Sequence, residues 1–359
     1  MNAADPSKNF PDIRCSECGG AFLGRFSGEP RGWVCEGCNR FAPGNELHVD
    51  LESKEWSQTA DHYSLQWGDE LGFLEFLRKR PGAKSVLAAA RLGWNALIYE
   101  IRERAQQDLV KVYDAACGFG GVANELLAEP VPNQLRYVGA DIHQSLMVIP
   151  KSLPDFGRHG FLVRWDISKP LPSSEIFDYV ICRASLHHTP DPAKTFQSLS
   201  ASLAPGGKLA ISVYKRKSVC REAVDEALRA LITQMPREEA FETCRQFTVL
   251  GRALQDIKQQ VELPEDIPLL GLKAGKMPVQ ELIYYHLLKC FFNPEFGDKY
   301  STLVNFDWYH PQFAYRYDIE QVHAWFKAAN LNVIESTSSA VQHYVVGQRG
   351  DDPRLKTTA

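Results

Sequence analysis

The chain has 359 residues, 44% hydrophobic and 23% charged, a globular composition with room for one large domain plus an extra module, or for two domains. Its net charge of −4 gives no bulk attraction to nucleic acid or to an anionic membrane, and no apolar stretch reaches the length of a membrane span. The polar start, Met1 to Asp12, lacks the apolar core of a signal peptide, which by default assigns the chain to the cytoplasm.

In chain order, the first unit expected is a ribbon over residues 1–45. Residues 14–45 are poor in core-forming aliphatics and rich in glycine and cysteine, so they need a staple to fold. Cys15-x-x-Cys18 and Cys35-x-x-Cys38, sixteen residues apart, have the two-knuckle spacing of a zinc site; two disulfides or unligated thiols are the alternatives. Gly19, Gly20 and Gly37 beside the pairs let backbone amides curl towards the sulfurs. Four thiolates leave no open coordination position, so the implied Zn2+ is structural. Residues 1–50 carry five basic and seven acidic side chains, the wrong sign for a phosphate-binding face; fold support or substrate gating fits better.

Residues 46–107 read as a helical connector, with Trp56, Tyr63 and Trp67, a helix near 70–79, and a further helical pattern over 83–104. From residue 108 strands and helices alternate. Strands are expected over 110–115, 136–140, 161–165, 177–182 and 208–214, with helices over 121–128, 143–150 and 192–203, which implies a parallel sheet covered on both faces. An α/β core over 108–216 is interrupted by a helical cap over 217–306, in which no strand is expected. It resumes over 307–349 with a helix (318–329) and two antiparallel strands (331–337 and 342–348), and residues 350–359 form a tail.

The run Val112-Tyr113-Asp114-Ala115-Ala116-Cys117-Gly118-Phe119-Gly120-Gly121 reads as a buried strand ending in a glycine turn that opens a helix, where a ligand approaches the backbone. Asp141 ends the next strand, placed to accept hydrogen bonds from a ribose diol. A dinucleotide reading is weakened because the third fingerprint glycine is replaced by Ala123. Further on, the third strand ends in Arg164-Trp165-Asp166-Ile167, and the fourth runs into Arg183-Ala184-Ser185-Leu186-His187-His188.

In order and spacing this series resembles the class I S-adenosylmethionine-dependent methyltransferases, over about residues 108–214. The Asp307-Trp308-Tyr309-His310-Pro311 run and the Tyr63–Trp67 stretch look like a subgroup with an N-terminal zinc-ribbon-like segment. The resemblance implies a doubly wound, seven-stranded, mostly parallel sheet with S-adenosylmethionine as cofactor. Gly118 and Gly120 would line the cofactor, with Asp114 organising the loop under its methionyl part. Asp141 would take the ribose hydroxyls and Asp166 the adenine amino group, with Ile142 and Trp165 as apolar neighbours of the ring; Arg183 would face the methionyl end or the acceptor. Ala116 stands where the family usually has glycine, an exchange the turn accommodates if its φ is negative.

Methyl transfer is an in-line displacement, and a hydroxyl, thiol or carbon acceptor needs a base. His187, His188 and His310 are the candidates, the alternative being histidines that shape their loops. Tyr63, Trp67, Tyr309 and Tyr285 are candidate walls of an acceptor pocket, with core packing the alternative for Trp67 and a place half in pocket, half in core for Tyr285. Lys273 and Lys276 would meet an anionic acceptor, or stand in solvent. The expected activity is methyl transfer to a small molecule: a natural product, sugar or lipid precursor. The alternatives are a zinc-ribbon RNA methyltransferase and a non-catalytic binding protein. Charge opposes the RNA reading, since residues 217–276 hold nine Lys/Arg against ten Asp/Glu.

Overall fold

The structure, a computed structural model, describes residues 12–25, 31–51, 62, 72, 76, 79, 93–174 and 176–350. The N-terminal module supplies β1 (Phe22–Arg25), β2 (Gly32–Cys35), β3 (Phe41–Asn45) and β4 (His48–Asp50). Then follow α1 (Trp94–Arg104), β5 (Val110–Ala115), α2 (Gly121–Leu126), β6 (Leu135–Asp141), β7 (Gly160–Arg164), β8 (Phe177–Cys182), α3 (Pro192–Ala201) and β9 (Leu203–Tyr214). The cap contains α4 (Val219–Ile232), α5 (Arg237–Asp256), β10 (Gln260–Leu263), β11 (Gly275–Pro278), α6 (Val279–His286) and α7 (Gly297–Tyr309). The chain returns to the sheet through α8 (Ile319–Ala328), β12 (Leu331–Ser338) and β13 (Gln342–Arg349).

β5 buries five of its six residues, as a central parallel strand must when both sheet faces are covered. Its side chains alternate: Val112 packs into the core on one face with Leu126 and Ile149, and Tyr113 into the other with Val180 and Phe177. β5 lies between β6 and β8, so the chain winds outward through β6 and β7 and then returns through β8 and β9. That reversal creates the crevice at strand C-termini where doubly wound folds bind ligands.

Three differences from the expected fold stand out. The sheet has eleven strands rather than seven, in the order β1-β2-β3-β4-β7-β6-β5-β8-β9-β13-β12. The seven expected strands run unbroken from β7 to β12, and β4 pairs with β7 in parallel so that the ribbon extends the sheet. An edge strand left bare would offer unpaired amides and carbonyls, and β4 satisfies them. Second, the cap holds a strand pair, with Val261 opposite Met277 and Glu262 opposite Lys276; four-residue strands are too short to give a period in sequence. Third, the β3–β4 hairpin crosses the expected ribbon boundary at residue 45, and α7 runs through the one at 306.

The cap has its own core, built on Ile232, Cys244, Leu303, Phe306, Trp308 and Tyr309. A charge pair lies inside it. Arg221 Nε donates to Asp225 at 2.6 Å, and the remaining carboxylate capacity accepts from Trp308 Nε1 at 2.8 Å and the Tyr309 hydroxyl at 3.2 Å. Both charged side chains are shielded from water, so each depends on the other's charge, and Asp225 also on those donors.

Candidate functional site

The ribbon gathers its four cysteines. The sulfurs of Cys15, Cys18, Cys35 and Cys38 all lie within 4.8 Å of one another, with Cys15–Cys38 at 3.7 Å and Cys18–Cys35 at 3.4 Å. Tetrahedral bonds of about 2.3 Å hold thiolates about 3.8 Å apart, so the set is compatible with one zinc ion. The two knuckles are built alike: Gly19 N–H donates to the Cys15 carbonyl at 2.8 Å and Asn39 N–H to the Cys35 carbonyl at 3.0 Å. Gly19 and Asn39 both have positive φ, so Asn39 is the second knuckle's counterpart of the glycine, a role the sequence reading did not assign. A side chain on Gly20 would come within 2.9 Å of Cys35 Sγ, which is why that position is bare.

At the sheet's C-terminal edge, β5 ends in the turn that the glycine run implied. Gly118 and Gly120 have φ of +53° and +87°. A Cβ on Gly120 would strike Ile149, whereas one on Gly118 would project into open space. Ala116 also has positive φ, +62°, so the condition for an unstrained exchange is not met; the left-handed region costs an L-residue about 1–2 kcal/mol. Ala184, just past β8, has φ of +54°. Two strained alanines at the ends of adjacent strands mark this edge, since such strain collects where a ligand site over-determines the backbone.

Asp114 is buried beneath the turn, and burial raises its carboxyl to about 7 against the pull of the Tyr137 hydroxyl, which donates to it at 2.7 Å, and of the Arg183 charge. Burial also raises Asp141, which is opposed by two backbone donors: Gly118 N–H at 2.9 Å and His143 N–H at 2.8 Å. Arg183 makes a two-pronged contact with Glu125 (3.2 and 2.8 Å) and lies over the Trp94 ring, while its buried Nε has no hydrogen-bond partner among the described residues. Asp166 is half-buried and accepts from Ser168 N–H at 2.9 Å. Ile142 is half-buried beside Asp141. Trp165 belongs to the core, its indole N–H donating to the Lys169 carbonyl at 3.2 Å, so the structure gives its ring to packing. The cradle at Gly118, the unsatisfied Arg183 Nε and the carboxylates of Asp114 and Asp141 fit an adenosyl amino-acid sulfonium: open space beside bare backbone, an anion donor and two acceptors.

The histidines separate clearly. His187 is fully buried against Tyr214, ring centroids 3.8 Å apart, with neither ring nitrogen hydrogen-bonded to a described residue; burial drives it well below the usual histidine range. His188 Nδ1 lies 2.6 Å from the Phe313 carbonyl, which can only accept, so the proton sits on Nδ1 and the lone pair on Nε2. Burial lowers it to about 4, opposed by the charge of Asp307. His310 spends both nitrogens on structure, with His62 Nδ1 at 3.0 Å and the Met235 carbonyl at 3.2 Å. The structure thus removes His310 from the candidate bases. Tyr309 is core as well, its hydroxyl held by Asp225 and the Lys289 carbonyl, which corrects its expected place in a pocket wall. Tyr285 is half-buried edge-on to Tyr284. Tyr63 and Trp67 lie outside the described residues. Lys273 and Lys276 form exposed ion pairs with Asp266 and Glu262, the solvated alternative.

Two groups here, Asp307 and Lys289, were not singled out in the sequence. Asp307 accepts from the Tyr214 hydroxyl at 3.3 Å and faces His62 at 3.7 Å; against its burial, the hydrogen bond with His62 and the electrostatic influence of the nearby histidines and Lys289 hold its carboxyl below the usual range. Lys289 stands 4.7 Å over the Trp308 ring and forms no ion pair among the described residues; burial lowers its ammonium to about 8. Asp307 heads the run that was quoted for its aromatics, so its position was legible. Lys289 carried no local signal.

Comparison with known proteins bears on this edge. Residues 113–209 match a methyltransferase domain family. Trans-aconitate 2-methyltransferase of Variovorax paradoxus is 26% identical over 208 residues, covering 54% of this chain and 74% of that protein. Ubiquinone biosynthesis O-methyltransferase of Coxiella burnetii is 30% identical over 106 residues, 29% of this chain and 44% of that protein, so the chain spans under half its length. Among solved structures, magnesium protoporphyrin IX methyltransferase from Synechocystis with bound SAH aligns with 81% of this chain and 98% of that one, at 13% identity and a TM-score of 0.41. The matched methyltransferase domain runs from the second half of β5 into β9, and so holds the glycine turn, Asp141, Asp166 and the β8 loop.

Proposed function

We propose that this chain is an S-adenosylmethionine-dependent methyltransferase acting on a small-molecule acceptor, with a structural zinc ion in its ribbon. The observation that carries the reading is the arrangement at the ends of β5, β6 and β8: an open backbone cradle at Gly118, Asp114 and Asp141 beside it, and Arg183 opposite with an unsatisfied Nε. The match of this stretch to a methyltransferase domain supports it. The cofactor, when bound, supplies a methyl group on an electron-poor sulfur.

The chain's own residues bind and orient. Asp114, held by Tyr137, attracts the cationic amino-acid end, and Arg183 Nε takes the carboxylate of that end. Asp141 has both oxygens pinned by backbone N–H groups, which fixes its free lone pairs for a diol. Asp166 accepts from an exocyclic amine. His188 is the base that takes the proton of an acceptor hydroxyl: it is neutral near pH 7, and the Phe313 carbonyl orients its ring through Nδ1. Lys289, which stands over the Trp308 ring and forms no ion pair among the described residues, favours an acceptor that carries an anionic group. Zinc would be held by Cys15, Cys18, Cys35 and Cys38, and would fix the ribbon rather than take part in transfer.

Calorimetry with S-adenosylmethionine tests the reading. The wild-type chain is expected to bind, and Asp141→Ala to weaken binding by about ten-fold or more through lost hydrogen bonds to the ribose. Unchanged affinity in the variant removes Asp141 from the site, and no binding by the wild-type chain removes the function.

A further inference from the structure

The ribbon touches the cofactor edge through a chain of two arginines. β4 lies against β7 with His48 opposite Leu162, Val49 opposite Val163 and Asp50 opposite Arg164. Leu162 N–H donates to the Leu47 carbonyl at 2.9 Å and Leu51 N–H to the Arg164 carbonyl at 3.2 Å, so the ribbon is bonded into the sheet as far as the last residue of β7. The Arg164 side chain then reaches both ways. Its Nη1 donates to Asp50 Oδ2 at 2.8 Å, and its Nε to the Ile142 carbonyl at 3.1 Å. Ile142 follows Asp141 directly, and Asp141 is the residue paired with Arg164 across β6 and β7. On the ribbon side, Arg40 leaves the second knuckle two residues after Cys38. It donates to the Ser16 hydroxyl at 2.8 Å inside the first knuckle and to the Leu51 carbonyl at 3.1 Å. Charge-assisted bonds, joined by the Asp50–Leu51 peptide link, therefore connect both cysteine knuckles, through Arg40, Leu51, Asp50 and Arg164, to the backbone that aims Asp141.

We infer that the ribbon is a positioning device for the cofactor site: the Asp50–Arg164 pair transmits the ribbon's fold to the 141–143 turn and sets affinity for the adenosyl ligand. Edge protection alone requires only the β4–β7 backbone pairing, and the two arginines add nothing to that. Their bonds are what a positioning role needs, because a carboxylate that must meet two hydroxyls tolerates little drift. Asp50 and Arg164 are mostly shielded, so the pair is screened less than a surface salt bridge. The inference rests on the S-adenosylmethionine reading.

The test uses the full chain as purified with its metal. Binding of S-adenosylhomocysteine is measured by calorimetry for wild type, Asp50→Ala, Asp50→Asn and Arg164→Gln, alongside melting temperature and metal content. Asp50→Ala is expected to weaken binding about 3–10-fold at a temperature where every variant is folded. Asp50→Asn, which keeps an acceptor oxygen, should recover part of the loss. Asp50→Ala combined with Arg164→Gln should cost no more than the larger single change, as members of one network are non-additive. Removing the metal with a chelator should weaken binding in the same direction. A lower melting temperature with unchanged affinity in all variants makes the ribbon an edge cover only and overturns the inference. If wild type itself fails to bind, the cofactor reading falls instead.

Discussion

Asp114 titrates where its ligand can be assayed, so pH is an informative perturbation. Burial raises its carboxyl to about 7 in the ligand-free chain, so it changes charge between pH 6 and 8. A ligand cation binds the carboxylate and not the acid. With a value near 7, the ionised fraction rises from about 9% at pH 6 to about 91% at pH 8, so affinity for S-adenosylmethionine should tighten about ten-fold and level off above that. Folding stability moves the other way. The folded value lies above the unfolded one of about 3.9, so the chain gains from Asp114 below pH 4 and loses that gain as pH rises through 7. Calorimetry at pH 6, 7 and 8, in two buffers of different ionisation enthalpy, reads both the affinity and the proton released, expected at about half a proton at pH 7. Asp114→Asn should flatten the profile. Tyr137→Phe removes a donor that lowers the carboxyl and should push the midpoint upward. An affinity that is flat across this window, or that tightens on acidification, refutes the assignment of Asp114 to the cationic end of the ligand.

Cys15→Ser should abolish zinc retention by the purified chain and loosen the ribbon, read by metal analysis and by proteolysis of residues 12–51; full metal content in the variant would remove Cys15 from the ligand set. Asp225→Asn should destabilise the cap by about 3–5 kcal/mol in urea unfolding, because Arg221 would be left buried without its counter-charge; a loss under about 1 kcal/mol would mean that the pair is solvated.

Much of the site was legible because its signals are local. Four cysteines at knuckle spacing, glycines where φ is positive, and acids at strand ends are each dictated by bond geometry within a few residues, and the structure brings them together at one edge or in one cluster. Ala116 is the instructive exception. Its identity argued for a negative φ, but the turn is fixed by Cys117 N–H donating to the Ala140 carbonyl on the neighbouring strand, and the alanine bears the strain. What each polar side chain would be spent on was not legible. Tyr309 and His310 sit in a run that reads as a pocket wall, yet their partners, Asp225, Met235 and His62, come from distant segments. Arg221 and Asp225, four residues apart on a helix, were not singled out in the sequence, because their burial depends on the indole and hydroxyl that α7 brings from some eighty residues away.

The alternation of strands and helices determined a parallel α/β sheet, because period and turn chemistry are properties of neighbouring residues. Only the tertiary structure decided that the ribbon would join that sheet. β4 is three residues long and carries no period of its own, and its partner β7 lies more than a hundred residues further along. The pairing exists because β7 would otherwise present a bare edge, a need that arises only once the sheet has formed.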